Sequence, residues 1–265
     1  MSNSHKKLSF FLIFLLLFGF TGCQNHQKSN FSIRKVEKKI KTIKKKSSTS
    51  IIKYLSHKDK IIYAPFGDSL SVGLFADQQS SKFSSLFAQN LSKKIGKNVI
   101  EKGLSEVAKT AANFGVPSIQ TIIDQKPDLI TIEFGTNDAV GGKTDYVLNS
   151  FKENLLQIVN AFKNKTTAKL ILMTTWSPSN GKYIDNDLAF DQKVKEVGKM
   201  TNTPVADLSK IWRGHPEVCG PAGKVISDFS QWGNRDDFHP NQIGHQRIAQ
   251  MLFEIANKTE RKKVN

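Results

Sequence analysis

The chain has 265 residues, with 39 Lys and Arg against 23 Asp and Glu, a formal net charge of +16, and two cysteines. An apolar content of 38% is enough for a packed core and excludes a chain disordered throughout, while two cysteines in this length exclude a disulfide-stapled scaffold. The positive charge invites a nucleic-acid reading, but residues 1–60 hold 14 Lys/Arg and 2 Asp/Glu, residues 257–265 hold 4 and 1, and residues 61–256 hold 21 and 20. A nucleic-acid-binding fold carries its basic patch on the folded face, so the near-neutral body argues against a nucleic-acid partner.

Residues 1–22 have the three parts of a secretory signal: positive His5-Lys6-Lys7, the apolar run Leu8 to Phe20, and small residues before a cysteine. Thirteen residues are short for a spanning helix, which needs about 20. Phe20-Thr21-Gly22-Cys23 resembles a bacterial lipobox, which implies cleavage before Cys23 and lipidation of its thiol. The expectation is a protein anchored to the cell membrane through Cys23, on the extracytoplasmic face. Residues 23–60, rich in Lys, Ser, Asn and Thr, read as a solvated basic tether.

From Ile61 the pattern alternates. Ile61–Phe66 reads as a buried strand before Gly67. Residues 82–95 place Phe83, Leu86, Phe87, Leu91 and Ile95 at helical spacing. Asn98–Glu101 is a brief strand before Gly103, and Pro117–Gln125 a helix with proline near its start. Leu129–Phe134 is a strand ending at Gly135, and Asp145–Lys163 a long amphipathic helix. Ala168–Thr175 is a strand, Leu188–Met200 a helix, Pro204–Leu208 a strand and Asn241–Asn257 the last helix. Five strands alternating with helices predict an α/β fold, a parallel sheet covered on both faces, over 61–265.

In open α/β sheets the site lies beyond the carboxyl ends of the strands. Gly67-Asp68-Ser69-Leu70-Ser71 follows the first, Gly103 the second and Gly135-Thr136-Asn137-Asp138 the third, while Asp236-Asp237-Phe238-His239-Pro240-Asn241 precedes the last helix. Acyl transfer needs these residue types. Ser69 is a nucleophile candidate, and His239 can take its proton and return it to the leaving group. Asp236, three residues earlier, can hold the ring tautomer, with Asp237 the alternative. The backbone N–H groups of Ser69 and Gly103 and the amide of Asn137 could stabilise an oxyanion. Asp68 reads as structural, His245 as a surface or packing residue, His215 as a loop position and Cys219 as inert.

These blocks, in this order, resemble those of the SGNH/GDSL-type hydrolases, over about residues 61–256. The resemblance implies a three-layer α/β/α flavodoxin-like domain with a five-stranded parallel sheet and a Ser69–His239–Asp236 triad, the family spacing favouring Asp236. It implies ester hydrolysis with no metal or organic cofactor, and a monomer acting on an ester of a lipid or an acylated carbohydrate. Two substrate expectations follow, a lipase-like acyl hydrolase and a carbohydrate or cell-wall O-acetyl esterase. A non-catalytic binding protein on the same fold is the rival of another class. Gly141-Gly142-Lys143-Thr144 ends like a phosphate loop but has Asn137 where its first glycine belongs, and no Cys/His cluster has metal spacing. The long polar connections 180–186 and 209–235 are the expected cleft loops.

Overall fold

Residues 49–178 and 183–259 are described by the structure, a computed structural model. The signal segment, Cys23, the tether up to residue 48, part of the 180–186 loop and the tail from residue 260 lie outside the described residues.

Five parallel strand positions form the sheet. β1 (Ile61–Gly67) lies beside β2 (Val99–Glu101) and β3 (Leu104–Ser105) on one side and β4 (Leu129–Glu133) on the other; β5 (Lys169–Met173) and β6 (Val205–Ala206) follow. With β2 and β3 counted as one interrupted strand, the order is the flavodoxin-like 2-1-3-4-5. Side chains alternate between the faces, as strand geometry requires. Ile61, Tyr63, Leu129, Ile171 and Met173 pack under α1 (Ile51–Ser56), α3 (Phe83–Ile95) and α8 (Gln242–Asn257). Ala64, Phe66, Ile130, Ile132 and Leu172 pack under α4 (Ile119–Asp124), α5 (Asp145–Lys165) and α6 (Ile184–Thr201). The three expected layers are present. Among the described residues no helix is long and apolar enough to cross a membrane.

The sequence expectation needs two corrections here. The tether was expected to reach residue 60, whereas Ser50 caps α1 by accepting from the Lys53 N–H at 3.2 Å, and Ile51, Ile52 and Leu55 are buried against the body. The second strand is also longer than Asn98–Glu101 and is broken in the middle. The Lys102 N–H donates to the Tyr63 carbonyl at 2.7 Å, so the odd-numbered backbone groups of β1 face this side. Pro65 therefore turns its missing N–H towards the second strand. The ladder skips there and resumes with Leu104 opposite Phe66 and Ser105 opposite Gly67.

Candidate active site

β1 ends where the chain must turn tightly. A Cβ on Gly67 would overlap the Glu133 carbonyl and the Ser71 hydroxyl, so only glycine fits. Asp68 then caps the single turn α2 (Ser69–Val72), its Oδ1 accepting from the Leu70 N–H at 3.0 Å. Ser69 is thereby presented, half-buried, at the carboxyl edge of the sheet.

The chain before α8 brings the partner to it. His239 Nε2 lies 2.9 Å from Ser69 Oγ, and its Nδ1 lies 2.7 Å from Asp236 Oδ2. Asp236 Oδ1 also accepts from the N–H groups of Phe238 at 3.0 Å and His239 at 2.7 Å, so one carboxylate fixes both ring and backbone. Partial burial pushes the Asp236 carboxyl up; the bonds and charge of His239 outweigh it and hold the group below its usual range. Asp237 faces away and accepts from the Ala222 N–H at 3.0 Å. Of the two sequence alternatives, Asp236 reaches His239. Trp176 Nε1 donates to the Phe238 carbonyl at 2.7 Å. Asn241 caps α8 through its Oδ1 and donates to the carbonyls of Glu217, Cys219 and Gly220. These bonds hold His239 from both sides.

Behind the nucleophile lies a carboxyl pair that sequence reasoning missed. Glu133, the last residue of β4, is fully buried and bonds through Oε2 to the Ser71 hydroxyl at 3.1 Å and the Asp68 N–H at 3.3 Å. Burial, and then the charge of Asp68, drive its carboxyl well above the usual range. This favours the protonated form of Glu133 beside the Asp68 carboxyl. Burial raises Asp68 as well, opposed by its bonds to Leu70, Glu133 and Asn137. A buried pair of carboxyls, both with raised pKa, thus underlies the turn that carries Ser69.

Asn137 donates through Nδ2 to Asp68 Oδ2 at 2.9 Å and to the Lys109 carbonyl at 3.0 Å. Both amide hydrogens are engaged, so a substrate oxyanion would have to share or replace one of these acceptors.

The expectation for Gly103 is corrected. It lies inside the sheet, level with Pro65: a Cβ there would overlap the Pro65 carbonyl and stand 2.7 Å from the ring Cδ. Its glycine serves that close approach, and its N–H does not lie beyond the strand end. The loop that does is 106–110, fixed by Asn137 at Lys109. Ala108 in that loop holds φ +62, a left-handed conformation usual for glycine and invisible in an alanine codon.

The remaining candidates fall into place. His245 is fully buried, not at the surface. Its Nδ1 accepts from the Phe83 N–H at 3.3 Å, its Nε2 donates to the Leu74 carbonyl at 3.1 Å, and burial lowers its pKa to about 3. It is a neutral brace between α8 and the nucleophile turn. His215 pairs with Glu217 at 3.0 Å on the surface. Cys219 is a free, half-buried thiol whose pKa is raised by burial.

With this geometry in view, comparison with known proteins is informative. Residues 66–247 match the model of the GDSL-like Lipase/Acylhydrolase family. The chain belongs to this family. As a family member it is a hydrolase of carboxylic esters. Its fold is similar to three solved structures. A lipase/acylhydrolase from Enterococcus faecalis is 22% identical, with 77% of this chain and 100% of that chain covered and a TM-score of 0.58. An acetylxylan esterase from Geobacillus stearothermophilus is 18% identical, with 78% and 100% covered and a TM-score of 0.57. A lipase from goat rumen metagenome is 16% identical, with 76% and 99% covered and a TM-score of 0.61. No curated protein matches the sequence. In this GDSL-like hydrolase the matched span contains Ser69, just after β1, and Asn137, just after β4.

Proposed function

We propose that the protein is a membrane-anchored, extracytoplasmic serine esterase that works through an acyl-enzyme. The observation that carries the mechanism is the continuous chain Ser69 Oγ–His239 Nε2 at 2.9 Å and His239 Nδ1–Asp236 Oδ2 at 2.7 Å. His239 removes the Ser69 proton as Oγ attacks the ester carbonyl. The oxyanion is met by the Ser69 N–H, a backbone N–H of the 106–110 loop and the Asn137 amide once it turns from one of its present acceptors. The protonated ring then gives its proton to the leaving alcohol. Water, deprotonated by His239, attacks the acyl carbonyl and releases the acid. Asp236, ionised throughout, orients the ring and stabilises the imidazolium. Anchoring rests on the lipobox-like Phe20-Thr21-Gly22-Cys23.

A specific feature favours a short-acyl ester of a polar molecule. A groove of about 550 Å³ adjoins the nucleophile turn; Ser71, Gln79, Ser80, Lys82, Ser85, Glu101 and Ser105 line it together with the apolar Pro65, Val72 and Leu104. This mixture of hydroxyl, amide and charged groups suits a polyhydroxylated alcohol better than an acyl chain. The acetylxylan esterase fold relationship supports the same direction, an O-acetyl esterase of a carbohydrate or wall polymer. Turnover of p-nitrophenyl esters tests both levels. Ser69→Ala must abolish it, and wild-type rates in that variant refute the mechanism. A fall in rate beyond about four acyl carbons supports the short-acyl reading, whereas sustained rates on long chains return the enzyme to a lipase-like role.

A further inference from the structure

The charge of the body is divided between the two ends of its sheet. The segments leading into the strands, 57–60, 96–98, 125–128, 163–169 and 199–204, together with Lys258 after α8, hold nine lysines against two aspartates. The described segments leaving the strands, 68–82, 106–110, 134–144, 174–178, 183–186 and 207–241, hold seven Lys and Arg against ten Asp and Glu. Every strand pairing is parallel, so these sets lie at opposite edges. A five-residue strand separates them by about 17 Å before loops are added.

At the strand-entry edge, Lys163, Lys169, Lys199 and Lys258 line one cleft of about 1510 Å³, and no carboxylate is among the described residues that line it. Lys163 donates to the Thr201 carbonyl, and Lys169 Nζ stands 4.8 Å over the Tyr54 ring. The two outermost described residues, Thr49 and Thr259, line the same cleft. The chain before and after the body therefore joins it here. Residues 24–48 carry nine Lys and Arg and one Glu, and residues 260–265 three and one.

We propose that this cleft docks the body on the anionic phospholipid headgroups of a membrane, with the catalytic edge turned away from the bilayer. The choice of a bilayer over another polyanion rests on the proposed anchoring, since Cys23 lies only 26 residues before Thr49. Headgroup phosphates carry charge complementary to these lysines, and each lysine brought to such a surface adds about fivefold in affinity. The orientation has a substrate consequence: an ester embedded in the same membrane is out of reach, whereas one approaching from outside meets Ser69.

The test uses the full chain carrying Cys23→Ser, so that no acyl anchor contributes. Its binding to phosphatidylcholine vesicles with and without phosphatidylglycerol is compared for two four-residue variants of equal charge. Lys163→Gln, Lys169→Gln, Lys199→Gln and Lys258→Gln empty the cleft. Lys143→Gln, Lys210→Gln, Arg213→Gln and Lys224→Gln remove the same charge from the catalytic edge. The cleft variant should lose at least tenfold in affinity for anionic vesicles, and the control much less. Turnover of a soluble p-nitrophenyl ester should be the same for free and vesicle-bound enzyme. Equal losses in both variants overturn the proposal, as does turnover blocked by vesicles. So does a cleft variant that keeps vesicle binding but no longer binds soluble poly(glycerol phosphate), which assigns the cleft to a polymer. Ester turnover in both variants shows that they fold. Its absence from every chain refutes the proposed hydrolase without touching the vesicle result.

Discussion

The Arg235 guanidinium donates at 2.7 Å to the carbonyl of Phe75, a residue at φ +63 whose ring stands edge-on to His239 at 5.5 Å. A left-handed conformation in a bulky residue is an outlier that the surroundings must hold in place. Arg235 is 5% exposed, and its Nη2 also reaches Asp77 Oδ1 at 3.0 Å, so the clamp is buried and charge-assisted. It sits one residue before Asp236 and so ties together the carboxylate and the ring wall that flank His239.

From this clamp follows a coupling. Arg235→Gln should lower kcat about tenfold to a hundredfold through a misplaced imidazole, with ester binding less affected. Phe75→Ala should do likewise. If the guanidinium acts through the ring, the double variant will be no slower than the worse single one. Steady-state kinetics of the three proteins decide it, and multiplicative losses would mean independent roles.

The two adjacent aspartates should separate sharply. Asp236→Asn removes the acceptor that fixes the His239 tautomer and should cut kcat by about 10⁴. Asp237→Asn touches only the Ala222 N–H and should stay within about threefold, as a change to one surface hydrogen bond does. Rates measured on correctly folded protein, verified by circular dichroism, provide the check.

Gly103 and Ala108 should trade the behaviours their identities suggest. Gly103→Ala drives a methyl into the Pro65 carbonyl and should destabilise the fold by about 1–3 kcal/mol. The kcat of the molecules that remain folded should barely change. Ala108→Gly relieves a left-handed alanine and should raise stability by about 1 kcal/mol. Thermal melts with parallel assays test both, and a stable but inactive Gly103→Ala would restore it to the oxyanion pocket.

Buried carboxyls set the pH dependence of stability. Burial raises Asp187 from its usual value to about 7, with the nearby Asp191 charge adding to it. A raised folded pKa means that the native state holds the extra proton, so stability falls as pH climbs from about 4 to about 7. Asp187→Asn should therefore gain stability over wild type at pH 8 and show no such gain at pH 4. Glu133→Gln should behave in the same sense, with its gain extending to higher pH. Denaturant midpoints across that range measure both, and a gain largest at acid pH would contradict the sign.

Much of the site was legible because its chemistry is local. Asp236 and His239 are three residues apart, and Gly67-Asp68-Ser69 is a turn written in its own residues. The helices 83–95 and 145–165 were read closely because their apolar spacing is regular. What failed depended on partners distant in sequence. Nothing near Gly103 in sequence reveals that Pro65 lies opposite it. Glu133 looked like one more strand residue until the fold set it behind Asp68. The left-handed Phe75 and Ala108 carry no signal in their identities. Ile51, Ile52 and Leu55 were hidden by the lysines around them, although their spacing is that of a buried helical face.

The interrupted second strand has a consequence for solubility. A sheet edge presents unpaired backbone groups that can recruit a strand from another molecule. Here one edge is three residues, a gap forced by Pro65, then two residues, and the other edge is the two-residue β6. Neither offers a run long enough to template an added strand, so a single proline inside β1 helps keep neighbouring copies from joining edge to edge at high concentration.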